Sequence, residues 1–156
     1  MSKSITSRSF APTDVSKPAE PAHPSDADPQ LTVPLIVLAW ARSGDKGDLF
    51  NVGVFAREPR FFPYIAAALS SEVVGEWFAH FVADPAHPKV DRYVMPGPNG
   101  LNFVVHDSLG GGGSMCARMD PIAKTMGQNL LEYPVPVSPA IMAELATRDK
   151  SLPAYA

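Results

Sequence analysis

The densest group of chemically active side chains in this 156-residue chain is Arg42-Ser43-Gly44-Asp45-Lys46-Gly47-Asp48. Ionisable groups of both signs stand there beside glycine amides that are sterically accessible. Arg42 and Lys46 could pair with carboxylate or phosphate oxygens. Asp45 and Asp48 could ligate Mg²⁺ or Ca²⁺, although two carboxylates three residues apart are weak evidence for a metal site. The alternative is a charged hairpin in which the Asp and Gly residues only make turns.

A second candidate site is the glycine run Gly110-Gly111-Gly112-Gly113, which Ser114 follows. The run lacks the Gly-Lys-Ser/Thr ending of a nucleotide-binding P-loop. It leads to Arg118 and to a helix that we predict from the N-cap residue Asp120 and from proline next to it. Free amides at that helix start would favour an anion. A flexible connector, with Asp120 acting only as a cap, is the alternative.

The thiol and imidazole groups do not predict a catalytic or metal site. Cys116 is the only cysteine, which excludes an intramolecular disulfide and a cysteine-ligated iron–sulfur cluster. His106 is the nearest histidine, but no spacing establishes a dyad, and an inert thiol is favoured. The histidines have no metal-ligand spacing. We therefore expect neither a metal nor a cofactor.

The composition is that of an ordinary globular protein of one domain, with 46% hydrophobic residues, 19% charged residues and a net charge of −3. No basic run suggests nucleic acid, and no apolar stretch is long enough to span a membrane. Residues 1–10 lack the apolar region of a secretory signal, so we expect a cytoplasmic protein. Because residues 1–33 are rich in proline and poor in large apolar side chains, we predict a disordered, dispensable extension before a domain over 34–156.

Hydrophobic patterns predict an α+β domain. The predicted strands are 35–41, 51–57, 90–95, 101–106 and a proline-flanked edge strand 133–137. The predicted helices are 61–69, one capped near Ser70 and ending before Asp84, one beginning at Asp120, and 138–148. The order contains β-α-β-β-α-β, so we predict a ferredoxin-like two-layer sandwich: a mainly antiparallel sheet of about four to five strands with helices on one face.

The predicted topology also relates the two candidate sites. We expect the first strand to lie centrally in the sheet. If it runs parallel to strand 101–106, the loops that follow the two strands leave the same end of the sheet. Arg42, Lys46 and Arg118 would then meet there around the predicted helix start at Asp120.

Several motifs together resemble the AtuA-like ferredoxin-fold domain, which is named after acyclic terpene utilisation protein A. The resemblance covers roughly residues 35–138. The matching residues are Arg42 to Asp48, Asn51-Val52-Gly53-Val54, Ala56-Arg57, Arg92-Tyr93, Pro96-Gly97, Asn102-Phe103, Leu109 to Ser114, Arg118, Asp120, Lys124 and Gly127. "Ferredoxin" describes the topology only.

The resemblance implies an accessory role. In that family a large domain usually precedes this small one, so the resemblance suggests that the chain associates with a separately encoded AtuA-type large subunit. Acyl-CoA, terpenoid or branched carboxylic acid catabolism is the implied setting. A non-catalytic subunit is favoured, and the alternative is an enzyme subunit whose Arg42–Asp48 and Gly110–Asp120 loops, with Asn51 and Lys124, bind an acyl-CoA or carboxylate. A homo-oligomer stays open.

Overall fold

The computed structural model describes residues 18–117 and 119–148, which contain six strands and five α-helices. The strands are β1 (Asp28–Pro34), β2 (Ala39–Lys46), β3 (Leu49–Ala56), β4 (Val90–Met95), β5 (Gly100–Val105) and β6 (Pro134–Val137). The α-helices are α1 (Leu35–Leu38), α2 (Phe62–Ala68), α3 (Ser71–Trp77), α4 (Met126–Leu130) and α5 (Pro139–Thr147). Two 3₁₀ turns, Pro59–Phe61 and Ala79–Phe81, precede α2 and follow α3.

The main sheet has the strand order β2-β3-β5-β4, and each neighbouring pair is antiparallel. Strands β3 and β4 therefore run parallel with β5 between them, and α2 and α3 connect them. This is the split β-α-β unit of a ferredoxin-like fold, and the predicted α+β class is confirmed.

The edge of the main sheet differs from the prediction. The first strand of this sheet, β2, lies at the edge rather than centrally, and β3 and β5 are the central strands. Strand β6 is absent from this sheet and instead pairs with β1 in a two-stranded antiparallel sheet. The hairpin partner β2, which is adjacent to β3 in sequence, therefore occupies the edge position that the sequence pattern assigned to the last strand.

The two faces of the main sheet have different environments. On one face, alternate residues such as Phe50, Val52 and Phe103 are completely buried and belong to the hydrophobic core with residues of α2, α3 and α4. The residues between them form the other face, where Trp40 is 54% and Tyr93 is 53% exposed. We call this second surface the open face and define it by Trp40, Arg42, Gly44, Asn51, Gly53, Phe55, Asp91, Tyr93, Met95, Gly100, Asn102 and Val104.

The helix predicted to be capped near Ser70 is α3, which packs on the core face of the main sheet. Ser70 caps α3 by accepting a hydrogen bond from the N–H of Val73 at 3.2 Å. Val74 and Phe78 are completely buried, and the Phe78 ring meets the Phe50 ring edge-on with centroids 5.2 Å apart. The α-helix ends at Trp77, earlier than expected, and a 3₁₀ turn continues the chain.

The apolar run before the charged segment forms a helix first and a strand second. Residues Leu35–Leu38 make the single turn α1, which buries Leu35 and Leu38 completely, and β2 starts only at Ala39. An unbroken apolar run has no period of its own, so the run alone could not distinguish a buried strand from a helical turn.

The segment 1–33 is not disordered over its whole length. Strand β1 begins at Asp28 and pairs with β6, where Val33 lies opposite Val135. Val33 is buried, and Asp26 accepts a 2.7 Å hydrogen bond from the Tyr64 hydroxyl. The prediction of disorder was therefore wrong for residues 28–33, whereas residues 1–17 lie outside the described residues.

Candidate functional site

The charged segment is mostly strand rather than loop. Residues up to Lys46 belong to β2 and pair in regular register with β3. A two-residue turn, Gly47-Asp48, therefore replaces the long connection between the predicted strands 35–41 and 51–57. The φ angle of Gly47 is +76°, and a positive φ at the first turn residue suits the twist of a two-residue hairpin. The short turn holds Arg42, Asp45 and Lys46 on a rigid ladder.

The hairpin turn and the glycine run are joined directly. Strands β2 and β5 both run antiparallel to β3, so they end at the same end of the sheet. The carbonyl oxygen of Asp48 accepts from the N–H groups of Ser108 at 2.9 Å and Leu109 at 3.2 Å. The Asp48 Oδ1 accepts from the N–H of Gly111 at 2.7 Å. The prediction that the two loops meet is confirmed, and the contact uses Asp48 itself.

The free edge of β2 holds the segment that leads into α4. The N–H of Asp45 donates to the carbonyl of Ile122 at 3.0 Å. The Ser43 Oγ accepts from the N–H of Gly127 at 2.8 Å. A Cβ at Gly127 would stand 3.3 Å from backbone atoms of Ala41 and Arg42, so only glycine permits this approach without displacement.

No helix begins at Asp120, which corrects the prediction. Its carboxylate accepts from the N–H groups of Lys124 and Thr125, at 2.9 and 2.7 Å, and from the Thr125 hydroxyl. These bonds close a loop, and Ala123 in that loop has a φ of +53° that a helix cannot contain. Burial raises the pKa of Asp120, but the hydrogen bonds from Thr125 and Lys124 outweigh it and hold the pKa below its ordinary value.

These contacts change the interpretation of the predicted anion site. The carboxylates of Asp48 and Asp120 already accept from backbone amides of this region, including an amide of the glycine run. Lys46 lies exposed on the surface with its Nζ 3.2 Å from its neighbour's carbonyl oxygen, that of Asp45. Arg118 lies outside the described residues, so its predicted meeting with Arg42 and Lys46 stays a prediction.

Lys124 belongs to the open face as well as to this loop region. A Cβ at Gly44 would stand 2.9 Å from the Lys124 Nζ. Because Gly44 alternates with the inward-facing residues of β2, its missing side chain would point to the open face. The Lys124 ammonium therefore lies on the open face, above Gly44.

The second loop also exposes apolar side chains, which no sequence pattern had singled out. Met115 is 74% exposed, Met119 is fully exposed and Ile122 is 45% exposed. Ile122 and Met115 lie beside the glycine run, since a Cβ at Gly113 would meet Ile122 and one at Gly111 would meet Met115. We call the end of the sheet formed by Lys46 to Asp48, Gly110 to Met115 and Met119 to Ile122 the loop-end surface.

Asn51 and Ser114, two further predicted site residues, lie on different surfaces. Asn51 is on the open face, where its Nδ2 donates to the Asn102 Oδ1 at 3.0 Å. Ser114 is exposed within the second loop.

His106 hydrogen-bonds to Asp91 at 2.8 Å, and Cys116 is a half-buried free thiol. Within the described residues, no three His, Cys, Asp or Glu side chains group as metal ligands.

Trp40 lies on the open face and is 54% exposed, so it is not a core residue. The Arg57 guanidinium lies 4.8 Å from the Trp40 ring centroid, and the Arg57 Nε donates to the carbonyl of Ile36. This stacking fixes the indole while leaving about half of it exposed.

Comparison with known proteins identifies one family. The family model described as "AtuA ferredoxin-like domain" matches residues 33–136, which is most of the described chain. No curated protein and no solved structure matches. Within the described residues, none of the helices is long and apolar enough to cross a membrane.

Proposed function

The chain belongs to the AtuA ferredoxin-like domain family, and from that premise we propose that it is a small accessory subunit of a separately encoded AtuA-type large subunit. The contact is the loop-end surface. The complex acts in the catabolism of acyl-CoA or of terpenoid or branched carboxylic acids, in the cytoplasm, and the small subunit contributes no cofactor.

One observation carries this proposal: the loop-end surface combines exposed apolar side chains with polar groups that are already paired. Met115, Met119 and Ile122 project from it, and methionine-rich apolar surfaces are typical of sites that bind proteins. The Asp48 carboxylate is hydrogen-bonded to the N–H of Gly111. A protein partner can cover such a surface without breaking its internal bonds.

A small anionic ligand fits the same surface less well. An acyl-CoA phosphate or a carboxylate would need free amides and convergent cations. The Asp48 carboxylate competes for one amide of the glycine run, and Lys124 is directed to the open face instead. The geometry therefore favours the accessory subunit over the ligand-binding enzyme subunit.

Affinity capture tests the proposal. The tagged full-length chain, incubated with an extract of its source cells, should retain a large AtuA-type protein. The double variant Met115→Asp with Met119→Asp should lose it, because two carboxylates would be buried without partners. Ala143→Asp, an exposed substitution on α5, is the matched control and should capture as the wild type does.

The same samples provide the contrary results. Capture of no AtuA-type protein by the wild-type chain, or equal capture by the double variant, would contradict the proposal. Calorimetric titration of the isolated chain with an acyl-CoA gives an independent check. Micromolar binding that Lys46→Ala abolishes would support the ligand-binding alternative instead.

A further inference from the structure

The strand register arranges the side chains of the open face in three rows that cross the strands, each at a defined position along the strand direction. The first row runs from Gly44, under Lys124, through Asn51 and Val104 to Asp91. The second runs from Arg42 through Gly53 and Asn102 to Tyr93. The third runs from Trp40 through Phe55 and Gly100 to Met95.

The two ends of each row are chemically complementary. The first row has the Lys124 ammonium at its β2 end and the Asp91 carboxylate at its β4 end. The second has a guanidinium on Arg42 and a phenol ring on Tyr93. The third has the indole of Trp40 and the thioether of Met95. A cation and an anion, a cation and an aromatic ring, and a sulfur and an aromatic ring all attract each other.

A second copy of the chain can bring these complementary ends together. A two-fold axis parallel to the strands, in the plane between two stacked open faces, puts β2 of one copy over β4 of the other. This rotation keeps the position of every row along the strands and reverses the order of the strands. Each row therefore faces the same row of the second copy, read in the opposite direction. Lys124 then faces Asp91, Arg42 faces Tyr93, and Trp40 faces Met95, each pair occurring twice.

The other in-plane axis is unfavourable. A two-fold axis perpendicular to the strands would put β2 over β2 and reverse the order of the rows. Arg42 would then face Arg42 at the middle row, and Asp91 would face Met95. Like-charge contact and a carboxylate against an apolar side chain both oppose such a dimer. The charge distribution therefore selects the axis that runs parallel to the strands.

We propose that two copies of this chain associate through their open faces, with β2 of each copy over β4 of the other. This interface is independent of the proposed function, which uses the loop-end surface. Four strands about 4.8 Å apart, read over six residues, give a face of roughly 20 by 20 Å. That is below the area of about 800 Å² per partner in standard interfaces, so we expect dissociation in the micromolar range.

A charge swap tests the pairing of Lys124 with Asp91. Sedimentation velocity of the full chain from about 1 to 200 μM should show the mass rise from 16.7 kDa toward twice that value. Asp91→Lys and Lys124→Asp should each raise the dissociation constant roughly tenfold or more, because like charges then face each other. The two changes combined should restore dimerisation, because residues 124 and 91 then carry opposite charges again. Two unrelated local disturbances of the fold would add to each other instead.

Controls separate the interface from folding. Glu76→Lys, an exposed change on α3 at the helix-covered side, should dimerise as the wild type does. Circular dichroism monitors the fold of every variant. Asp91 also accepts a hydrogen bond from His106, so Asp91→Lys breaks a contact within the chain as well. Tyr93→Ser is therefore a second variant, which removes a half-exposed ring from the open face and leaves the bond between Asp91 and His106 intact. It should weaken the dimer as well.

Three results would overturn the proposal. The first is a wild-type chain that stays monomeric at 200 μM. The second is a dimer that neither single charge change nor Tyr93→Ser weakens, which would place the interface elsewhere. The third is a charge swap that fails to restore a dimer lost in the folded single variants, which would refute the register.

Discussion

Gly127→Ala tests how the segment before β6 is fixed to the sheet. In α4 the Gly127 Cα faces the β2 backbone, and an added methyl would stand 3.3 Å from the carbonyl carbons of Ala41 and Arg42 and from the Arg42 nitrogen. Those atoms belong to the ladder with β3 and cannot rotate away as a flexible side chain could. The helix must therefore move outward.

The expected cost exceeds the gain in helix propensity. Overpacking against fixed atoms costs about 1–3 kcal/mol. Moving α4 also weakens the 2.8 Å bond between the Gly127 N–H and the Ser43 Oγ, and such a bond contributes about 1 kcal/mol. Alanine regains at most about 1 kcal/mol over glycine in a helix. We therefore expect a net loss of about 2 kcal/mol, or a drop in Tm of about 6–10 °C.

Thermal unfolding followed by circular dichroism measures this difference. The matched control is Gln128→Ala, the exposed neighbour in the same helix, which should leave Tm unchanged or slightly raised. Ser43→Ala should lower Tm less than Gly127→Ala does. The reasoning is refuted if Gly127→Ala is as stable as the wild type or more stable.

Three further predictions concern the N-terminal segment, pH and metals. Deletion of residues 1–33 should lower Tm by several degrees, because it removes all but one residue of β1 and uncovers Val135 and Val137 of β6; an unchanged Tm would show that β1 contributes little. The lowered pKa of Asp120 should stabilise the fold above its ordinary value of 3.8 and cease to do so as the pH falls through the folded value. The Tm difference between wild type and Asp120→Asn should thus be constant from pH 7 to 5 and shrink below about pH 4; a difference that grows on acidification would contradict this sign. Elemental analysis of the purified protein should find neither iron nor zinc at one atom per chain.

The elements that sequence predicted well are those with a clear period or cap. Val74 and Phe78 lie four residues apart on the buried face of α3, and Ser138, the first residue of the predicted helix 138–148, caps α5. The turn at residues 96–99 separated β4 from β5 at nearly the expected residues. Local signals sufficed there because the helical stripe, the cap and the turn each involve residues close in the chain.

The errors arose where long-range pairing decides the structure. Nothing within residues 28–33 indicates that β6, a hundred residues later, will pair with them. The Asp120 carboxylate does cap backbone amides, as the sequence pattern indicated, but the amides belong to a loop. The loop forms because Asp45 and Ser43 of β2 hydrogen-bond to Ile122 and Gly127, and residues 120–127 contain no signal for these distant contacts. The meeting of the two candidate loops was predictable because it depended only on strand direction.

Strand β2 contributes to both proposed surfaces, so its pairing register with β3 determines which side chains each surface presents. Slipping β2 by one position would turn Trp40 and Arg42 into the core and put Ala39 and Ala41 on the open face. The Gly47-Asp48 turn sets that register, and Asp48 fixes the turn through its bonds to Ser108, Leu109 and Gly111. We therefore infer that residues Arg42 to Asp48 act on both surfaces, chiefly by holding β2 in place. Asp48→Ala removes the side-chain bond to the Gly111 N–H and keeps both carbonyl bonds. It should weaken self-association and partner capture together, while each surface variant weakens only one.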